Sequence, residues 1–302
     1  MTTETEALSP AQVAAQGEFR GRSHLDGLKT FITHQPTGAI GLFIFVALAF
    51  CAAFAPIIAT HDPIRNDVAN QFRAPSSTYF FGTDQFGRDM FSRVIWGSRT
   101  SLFVGLSTVS LGTTLGAVIG ISSAYYSRFD IVVQRLIDTM QAVPSLIFSL
   151  LIIAVLGPSF FNTILIIAII FVPGTARVMR SSALGVMQQP FVEAARSVGA
   201  SDLRIVFRHI APNCFAPFII LASNGLALAI ILEASLSYLG LGTPPPRPSW
   251  GGMLSGSVQG YITIAPWLAI FPGAAITIVA LGFSLFGDAL RDTFDPRLRG
   301  IR

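Results

Sequence analysis

Six apolar runs, each near the length of a membrane-spanning helix, constrain this chain more than any other feature of its sequence. A helix rises about 1.5 Å per residue, so about 20 residues cross the hydrocarbon core of a bilayer, which is about 30 Å thick. The third run is short, and the amphipathic stretch before it (RFDIVVQRLIDTMQAVP) can extend that helix at an angle. The pattern predicts an all-α membrane protein with six transmembrane helices at residues 38–60, 102–125, 143–157, 160–179, 214–238 and 262–286.

Composition excludes a large soluble domain. Only 12% of the 302 residues are charged and 52% are hydrophobic, whereas an ordinary soluble domain is about 25% charged. The first run ends in CAAFAP, which imitates a signal-peptidase site. Because a polar segment of 37 residues precedes it and Pro56 follows the small residues, we interpret it as a retained anchor.

The distribution of basic residues predicts the orientation in the membrane. Six spans place both termini on one side, and that side carries 14 of the 20 Lys and Arg residues, in the tail, the 126–142 loop, the 177–213 segment and the C-terminus. The opposite side carries six. The positive-inside bias therefore predicts a cytoplasmic N-terminal tail (1–37) and a transmembrane domain (38–302) with a cytoplasmic C-terminus. Residues 181–213 are then a cytoplasmic loop, and residues 61–101 and 239–261 are extracytoplasmic loops.

Residues 190–213 (PFVEAARSVGASDLRIVFRHIAPN) interrupt the apolar runs with five charges. The pattern predicts two short helices, each with apolar residues at i, i+3, i+4 and i+7. Gly199 suits a left-handed helix end, Ser201 can cap the second helix, and Pro212 closes it. We call this segment the 190–213 hairpin. Its predicted stripes are Phe191, Ala194, Ala195 and Val198, then Leu203, Val206, Phe207 and Ile210, with a cationic rim of Arg196, Arg204 and Arg208.

Three interpretations of the hairpin follow from its pattern. It can be an amphipathic loop on the bilayer surface. It can be a DNA-binding helix-turn-helix, although a membrane tether on both sides disfavours any role with nucleic acid. It can also be a docking element whose apolar ridge enters a groove on a cytoplasmic partner. Periodicity does not choose between the first and the third.

The segment EAARSVGASDLRIVFRHIAPN resembles the EAA loop of prokaryotic ABC importer permeases. The matching residues are Glu193, Ala194, Ala195, Gly199 and Pro212, while His209 departs from the wider pattern, which tends to carry Ile there. Three more stretches resemble dipeptide and oligopeptide permeases of the C-subunit type, which belong to the peptide, nickel and opine branch. They are FGTDQFGRDMFSRVIWGSRTSL (81–102), EASLSYLGLGTPPPRPSWGGML (233–254) and LFGDALRDTFDPRLRG (285–300).

The resemblance implies a permease subunit of the prokaryotic inner membrane, working by alternating access. Its expected partners are a second homologous permease subunit, two cytoplasmic ABC ATPase subunits and an extracytoplasmic peptide-binding protein, within membrane lipid. The hairpin would be the coupling helix that fits a groove on an ATPase. The expected coupling residues are Phe191, Glu193, Ala194, Ala195, Arg196, Gly199, Ala200, Leu203, Phe207 and Pro212. The solute would be a di- or oligopeptide, with a nickel complex, glutathione or an opine as alternatives.

The sequence predicts that the ATP site lies outside this chain. A P-loop needs the pattern G-x-x-x-x-G-K-[ST], and Lys29, the only lysine, has no such glycines around it. ATP and Mg²⁺ would therefore be bound by the partner ATPase subunits, with no cofactor in this chain. The four histidines are scattered and no Cys pair lies near one, so we predict neither a metal site nor a catalytic site.

Four residues are candidates for the transport pathway or the outer surface. Glu233 is the only carboxylate inside an apolar run, so we expect it either to face the pathway or to make a structural hydrogen bond. Asn224 is a weaker pathway candidate, and Arg247 and Trp250 are candidates for a surface that meets the binding protein. In the 61–101 loop we expect local ion pairs in a solvated cap. Two rival functions are a secondary transporter with Glu233 as its proton site and a membrane scaffold that transports nothing.

Overall fold

The computed structural model describes residues 35–258 and 260–294, and within these ranges the chain is helical with no strand. The prediction of an all-α membrane protein is confirmed. The predicted tail at 1–37 lies almost wholly outside the described residues, as do residues 295–302 at the end of the last matched stretch.

Eleven labels cover the α-helices of the described residues. They are α1 (Pro36–Ala53), α2 (Ala55–Ile58), α3 (Met90–Tyr125), α4 (Ser127–Gln141), α5 (Ser145–Leu156), α6 (Phe160–Met187), α7 (Pro190–Ser197), α8 (Asp202–Ile205), α9 (Phe215–Tyr238), α10 (Trp250–Val258) and α11 (Trp267–Phe294). A π turn (Val206–Ile210) and a 3₁₀ turn (Ala211–Cys214) join α8 to α9 without a break.

Five helices of the described ranges are long and apolar enough to cross a membrane: α1, α3, α6, the continuous 202–238 helix and α11. The sixth predicted span is α5, whose 12 residues extend only about 18 Å. It follows the amphipathic α4 at a bend of 94°, so six spans result only if this broken pair counts as one. The sequence predicted that the amphipathic stretch extends the third span at an angle, and the structure shows a sharp bend near Pro144 between the two helices.

Several predicted boundaries were wrong, and at the start of α3 and the ends of α6 and α11 the reason is that polar residues continue the helices. Helix α3 begins at Met90, so residues 90–101, assigned to a loop, form its first three turns. Asp89 caps this start by accepting a hydrogen bond from the Ser92 amide at 2.9 Å. Helix α6 continues to Met187 rather than 179, and α11 runs from Trp267 to Phe294 rather than from 262 to 286. Helix α1 ends at Ala53 rather than near 60.

Helix α3 lies at the centre of the bundle and packs most closely on α6. Gly112, Gly116 and Gly120 lie one turn apart on α3, and a Cβ at each would collide with Ala168, Thr175 or Ala176 of α6. Small residues at this spacing let two transmembrane helices approach closely. On its other sides α3 contacts α9 and α1, and α11 packs between α9 and α1.

The two ends of the bundle differ in construction. At one end, which we call the loop end, residues 54–89, 239–258 and 260–266 cover the helices. Here Asp84 pairs with Arg88 at 2.7 Å, and both Asp84 and Asp89 are buried. The expected ion pairs are therefore present, but they are buried rather than solvated. The opposite end, the hairpin end, carries α4, α7 and α8 against the last turns of α3 and α6.

Candidate docking site for a partner protein

The joint of the 190–213 hairpin is a Schellman-type helix end. Gly199 has φ +78°, and its amide donates to the Arg196 carbonyl at 2.9 Å. The Ala200 amide donates to the Ala195 carbonyl at 3.1 Å, which completes the motif. The prediction of a left-handed glycine here is confirmed. Pro190 occupies the first turn of α7, where its missing N–H leaves no bond unmade.

The second arm departs from a simple capped helix. Ser201 precedes α8 in an extended conformation, as predicted for a cap, but its side chain makes no capping hydrogen bond. Pro212 does not end the helix, because the chain continues through a π turn and a 3₁₀ turn into α9. Proline lacks an N–H and its ring crowds the carbonyl four residues earlier, so the helix widens before Pro212 instead of stopping.

The buried face of the hairpin differs from the predicted stripes. Val192, Ile205 and Ile210 are almost fully buried, together with Ala195 and Val206. All of these except Ala195 pack with Ile121 of α3 and with Met179 and Ala183 of α6, in a cluster we call the hairpin-end cluster. Each predicted stripe is therefore split between two faces, because short helices bend around the ends of α3 and α6.

Four large apolar residues of the predicted stripes lie on the surface. Phe191, Val198, Leu203 and Phe207 are exposed, with exposed fractions of 43%, 84%, 65% and 71%. Glu193, Ala194, Arg196 and Pro212 are also exposed, whereas Ala200 is half-buried and Ala195 belongs to the buried face. The other two cationic side chains of the hairpin, Arg204 and Arg208, are also exposed. Large apolar side chains ringed by polar groups are typical of protein-interaction sites. We call these four residues the apolar patch.

One side chain from outside the hairpin, Tyr125, contacts both of its helices, and the sequence pattern did not indicate these contacts. The Tyr125 hydroxyl at the end of α3 donates to Asp202 at 2.7 Å. The Arg196 guanidinium carbon lies 5.7 Å from the centre of the Tyr125 ring. Neither contact follows from helical periodicity, because both join residues about 70 or more positions apart in the chain.

Two ion pairs fasten α4 beneath the same end of α6. Arg180 donates to both carboxylate oxygens of Asp130, with a distance of 2.6 Å from Nε to Oδ1. Ser123 of α3 donates to the same Oδ1, also at 2.6 Å. Arg177 donates to Asp138 at 2.6 Å, about two turns further along α4. These contacts make α3, α4 and α6 one unit at the hairpin end.

Glu233 lies in the bundle interior, where α9 meets the loop that follows it. It is 1% exposed, and its Oε1 accepts a hydrogen bond from Ser237 at 2.7 Å, with the Thr243 hydroxyl 3.5 Å away. Its Oε2 has no hydrogen-bond partner among the described residues. The geometry matches the structural alternative for Glu233, while its role in a pathway stays a prediction. Asn224 is exposed on α9 and lies against Gly287 of α11, and its pathway role also stays a prediction.

Of the two residues predicted for the outer surface, Arg247 is exposed and Trp250 is buried. The prediction that Trp250 lies on the outer surface was wrong. Trp250 is 2% exposed, and its indole nitrogen donates a hydrogen bond to the Val94 carbonyl at 2.9 Å. It fills the space that Gly97 leaves on α3. Arg247 is exposed, with its guanidinium carbon 4.3 Å from the centre of the Phe160 ring. It borders an open cleft of about 990 Å³ at the loop end, together with Trp96, Arg99 and Phe103.

A multi-pass membrane protein with an exposed, firmly seated helical hairpin is thus the class that fold and site define. Comparison with known proteins identifies the family. Residues 112–300 match the model of the binding-protein-dependent transport system inner membrane component, and residues 32–75 match the N-terminal TM domain of oligopeptide transport permease C. The chain belongs to the family of binding-protein-dependent transport system inner membrane components, the permease subunits of ABC transporters.

Individual relatives agree with this assignment. A Brucella suis protein named among the peptide transport system permeases is 44% identical over 260 residues, which cover 86% of this chain and 88% of that protein. The dipeptide transport system permease protein of Alkalihalophilus pseudofirmus is 41% identical, with 86% of each chain covered. A glutathione transport system permease protein of Escherichia coli is 40% identical, also with 86% of each chain covered.

Proposed function

We propose that this chain forms half of the translocation pathway of an ATP-driven importer for di- or oligopeptides. It works with a second permease subunit, two cytoplasmic ATPase subunits and an extracytoplasmic peptide-binding protein. Support for the solute comes from relatives named for peptides and dipeptides, with the glutathione permeases as the alternative. Glutathione is itself a tripeptide, so both candidates share a peptide-like chemistry.

The observation that carries the proposal is the apolar patch on a hairpin whose opposite face is buried. An amphipathic loop lying on a bilayer would turn one continuous apolar face to the lipid. Here the apolar residues divide between the hairpin-end cluster and the patch, so large apolar side chains remain exposed after the hairpin has packed on the bundle. Exposed apolar side chains on short helices that also carry arginines fit a groove on a protein partner.

The proposal assigns the hairpin end to the cytoplasm. The excess of arginine at this end agrees with the positive-inside bias, and both termini then lie in the cytoplasm. ATP and Mg²⁺ are bound by the ATPase subunits. Closure of the ATPases on ATP displaces the hairpin, and α3 and α6, which hold it, change the access of the pathway from one side to the other.

Reconstitution tests the proposal. The complete complex in proteoliposomes, with ATP on the ATPase side and the binding protein on the other, is expected to accumulate a labelled dipeptide. Uptake should require ATP and should persist when a protonophore collapses the proton gradient. Uptake that stops with the protonophore and ignores ATP would instead establish the proton-coupled transporter. ATPase binding without any flux of dipeptide, longer peptide or glutathione would establish the scaffold.

A further inference from the structure

We propose that Tyr125 is a positioning residue that clamps both helices of the 190–213 hairpin to α3. With the clamp in place, a displacement of the hairpin moves α3 instead of being absorbed as a change of angle at Gly199. The inference rests on the proposed function, because it concerns how a force applied by an ATPase at the hairpin reaches the transmembrane helices.

The clamp consists of one side chain that contacts both arms. Tyr125 is the last residue of α3, and its hydroxyl donates to Oδ1 of Asp202, the first residue of α8, at 2.7 Å. Its ring faces the guanidinium group of Arg196 in α7, with the guanidinium carbon 5.7 Å from the ring centre. Tyr125 thus makes a charge-assisted hydrogen bond to α8 and a cation–π contact to α7, the two helices that flank Gly199.

Two backbone hydrogen bonds close the joint itself, and Tyr125 is the side chain of α3 that contacts both arms beside it. A Cβ at Gly199 would meet no atom within 4 Å, so the outer side of the turn is open, while Ala200 packs against the hairpin-end cluster. Val198 beside it is 84% exposed. The buried contacts of Val192 and Ile205 hold the arms to the bundle, and the hydrophobic effect that drives this burial is itself non-directional. A hydrogen bond has a preferred direction, so the solvent-exposed Tyr125–Asp202 bond adds a directional restraint on the second arm.

Helix α3 is suited to carry the displacement across the molecule. Its 36 residues extend about 54 Å, from the hairpin end to the loop end. At the loop end, Thr100 donates to the Pro248 carbonyl at 2.9 Å, and the Val94 carbonyl accepts from Trp250, also at 2.9 Å. Helix α3 therefore connects the hairpin to the segment after α9. In a complete transporter, that segment lies on the side of the binding protein.

The experiment compares Tyr125→Phe with Tyr126→Phe in the reconstituted complex. Both substitutions remove one phenolic hydroxyl and keep the ring. Among the described residues the Tyr126 hydroxyl has no hydrogen-bond partner, and its ring lies edge-on to the Tyr125 ring with the ring centres 5.1 Å apart, so Tyr126→Phe is a matched control. The measured quantity is the number of labelled dipeptides transported per ATP hydrolysed, with the amount of co-purified ATPase recorded for each variant. We expect Tyr125→Phe to lower the transport ratio roughly fivefold, with ATPase binding unchanged, and Tyr126→Phe to change neither.

Further variants separate transmission from folding. Asp202→Ala should lower the ratio to a similar extent, and the double variant Tyr125→Phe/Asp202→Ala should be no worse than Asp202→Ala alone, because both remove the same bond. Equal ratios for Tyr125→Phe and Tyr126→Phe would overturn the clamp, and so would loss of ATPase binding in Tyr125→Phe. Failure of the wild-type complex to bind an ATPase would instead overturn the proposed function, so the two failures are distinct.

Discussion

At the scale of the residue, Gly199 decides the shape of the hairpin through its backbone alone. Its φ of +78° lies in the left-handed region, and space around it is open. A residue with a Cβ loses about 1–2 kcal/mol in this conformation, while Asn tolerates it better than other residues. The joint is therefore sensitive to backbone preference and insensitive to side-chain volume.

Substitutions at Gly199 should accordingly follow conformational preference rather than size. We expect the affinity for the ATPase subunits to decrease in the order Gly199, Gly199→Asn, Gly199→Ala, with Ala about 5–30-fold weaker than wild type because of the 1–2 kcal/mol penalty. Titration of purified ATPase against the permease in nanodiscs measures this order. An Asn variant weaker than Ala would contradict it, since Asn is the larger residue.

A second prediction for a single residue concerns Glu233, whose hydrogen bond from Ser237 indicates a structural role. Glu233→Gln keeps an oxygen acceptor at the position of Oε1, so ATP-driven dipeptide uptake should stay within about twofold of wild type. Glu233→Ala leaves the Ser237 hydroxyl without its hydrogen-bond partner and opens a cavity beside it. We expect this to lower the free energy of unfolding by about 2–4 kcal/mol. Uptake in proteoliposomes and unfolding in detergent measure the two effects. Abolition of uptake by Glu233→Gln would favour a carboxyl group that titrates during transport.

At the scale of the element, the contact of α3 with α6 depends on three glycines spaced one turn apart. A Cβ at Gly120 would overlap the carbonyl of Ala176, whereas a Cβ at Gly174 or Gly185 of α6 meets nothing within 4 Å. The same change of Gly to Ala therefore has opposite expected effects at different places in the bundle. Backbone contact opposes it at Gly120, and helix propensity favours it at Gly174 and Gly185.

This contrast gives a matched test of the α3–α6 contact. We expect Gly120→Ala to destabilise the protein by about 1–3 kcal/mol, because the helices must move apart. Gly185→Ala should be neutral or stabilising by up to about 1 kcal/mol. Thermal unfolding in detergent compares the two variants with wild type. Equal melting temperatures for both would mean that the two helices are not closely packed in the membrane.

The elements also show what the sequence predicts and where its patterns fail. Apolar length predicted the long helices, because crossing a membrane imposes that length. It misplaced the start of α3, since capping by Asp89 and burial of Arg93 extend the helix beyond its apolar part. The position of Gly199 directly after the first apolar stripe predicted the hairpin joint, because a helix end depends on residues close in sequence. Periodicity did not predict which face of the hairpin is buried, nor that Trp250 is buried, because both depend on contacts distant in sequence.

At the scale of the whole molecule, orientation is the property that links fold to function. The proposal places the hairpin end in the cytoplasm and the loop end outside. Ser77 and Ser201 are both exposed, one at each end, so they offer matched positions for labelling.

Single cysteines at these positions test the orientation, in a background where Cys51 and Cys214 are replaced. In intact spheroplasts, a membrane-impermeant maleimide should label Ser77→Cys, while Ser201→Cys should react only after the membrane is permeabilised. The reverse pattern would invert the topology and place the hairpin where no cytoplasmic ATPase reaches it.

The central claim is that the apolar patch is where an ATPase docks, and its most direct test compares two phenylalanines. Phe207 in the patch is 71% exposed, and Phe161 at the loop end of α6 is 74% exposed. With the permease co-expressed with its ATPase subunits, the measurement is the amount of ATPase that co-purifies with each variant. We expect Phe207→Ala to reduce it at least about tenfold, as for a hot-spot residue, and Phe161→Ala to leave it unchanged. Equal recovery of ATPase with both variants would contradict docking at the hairpin.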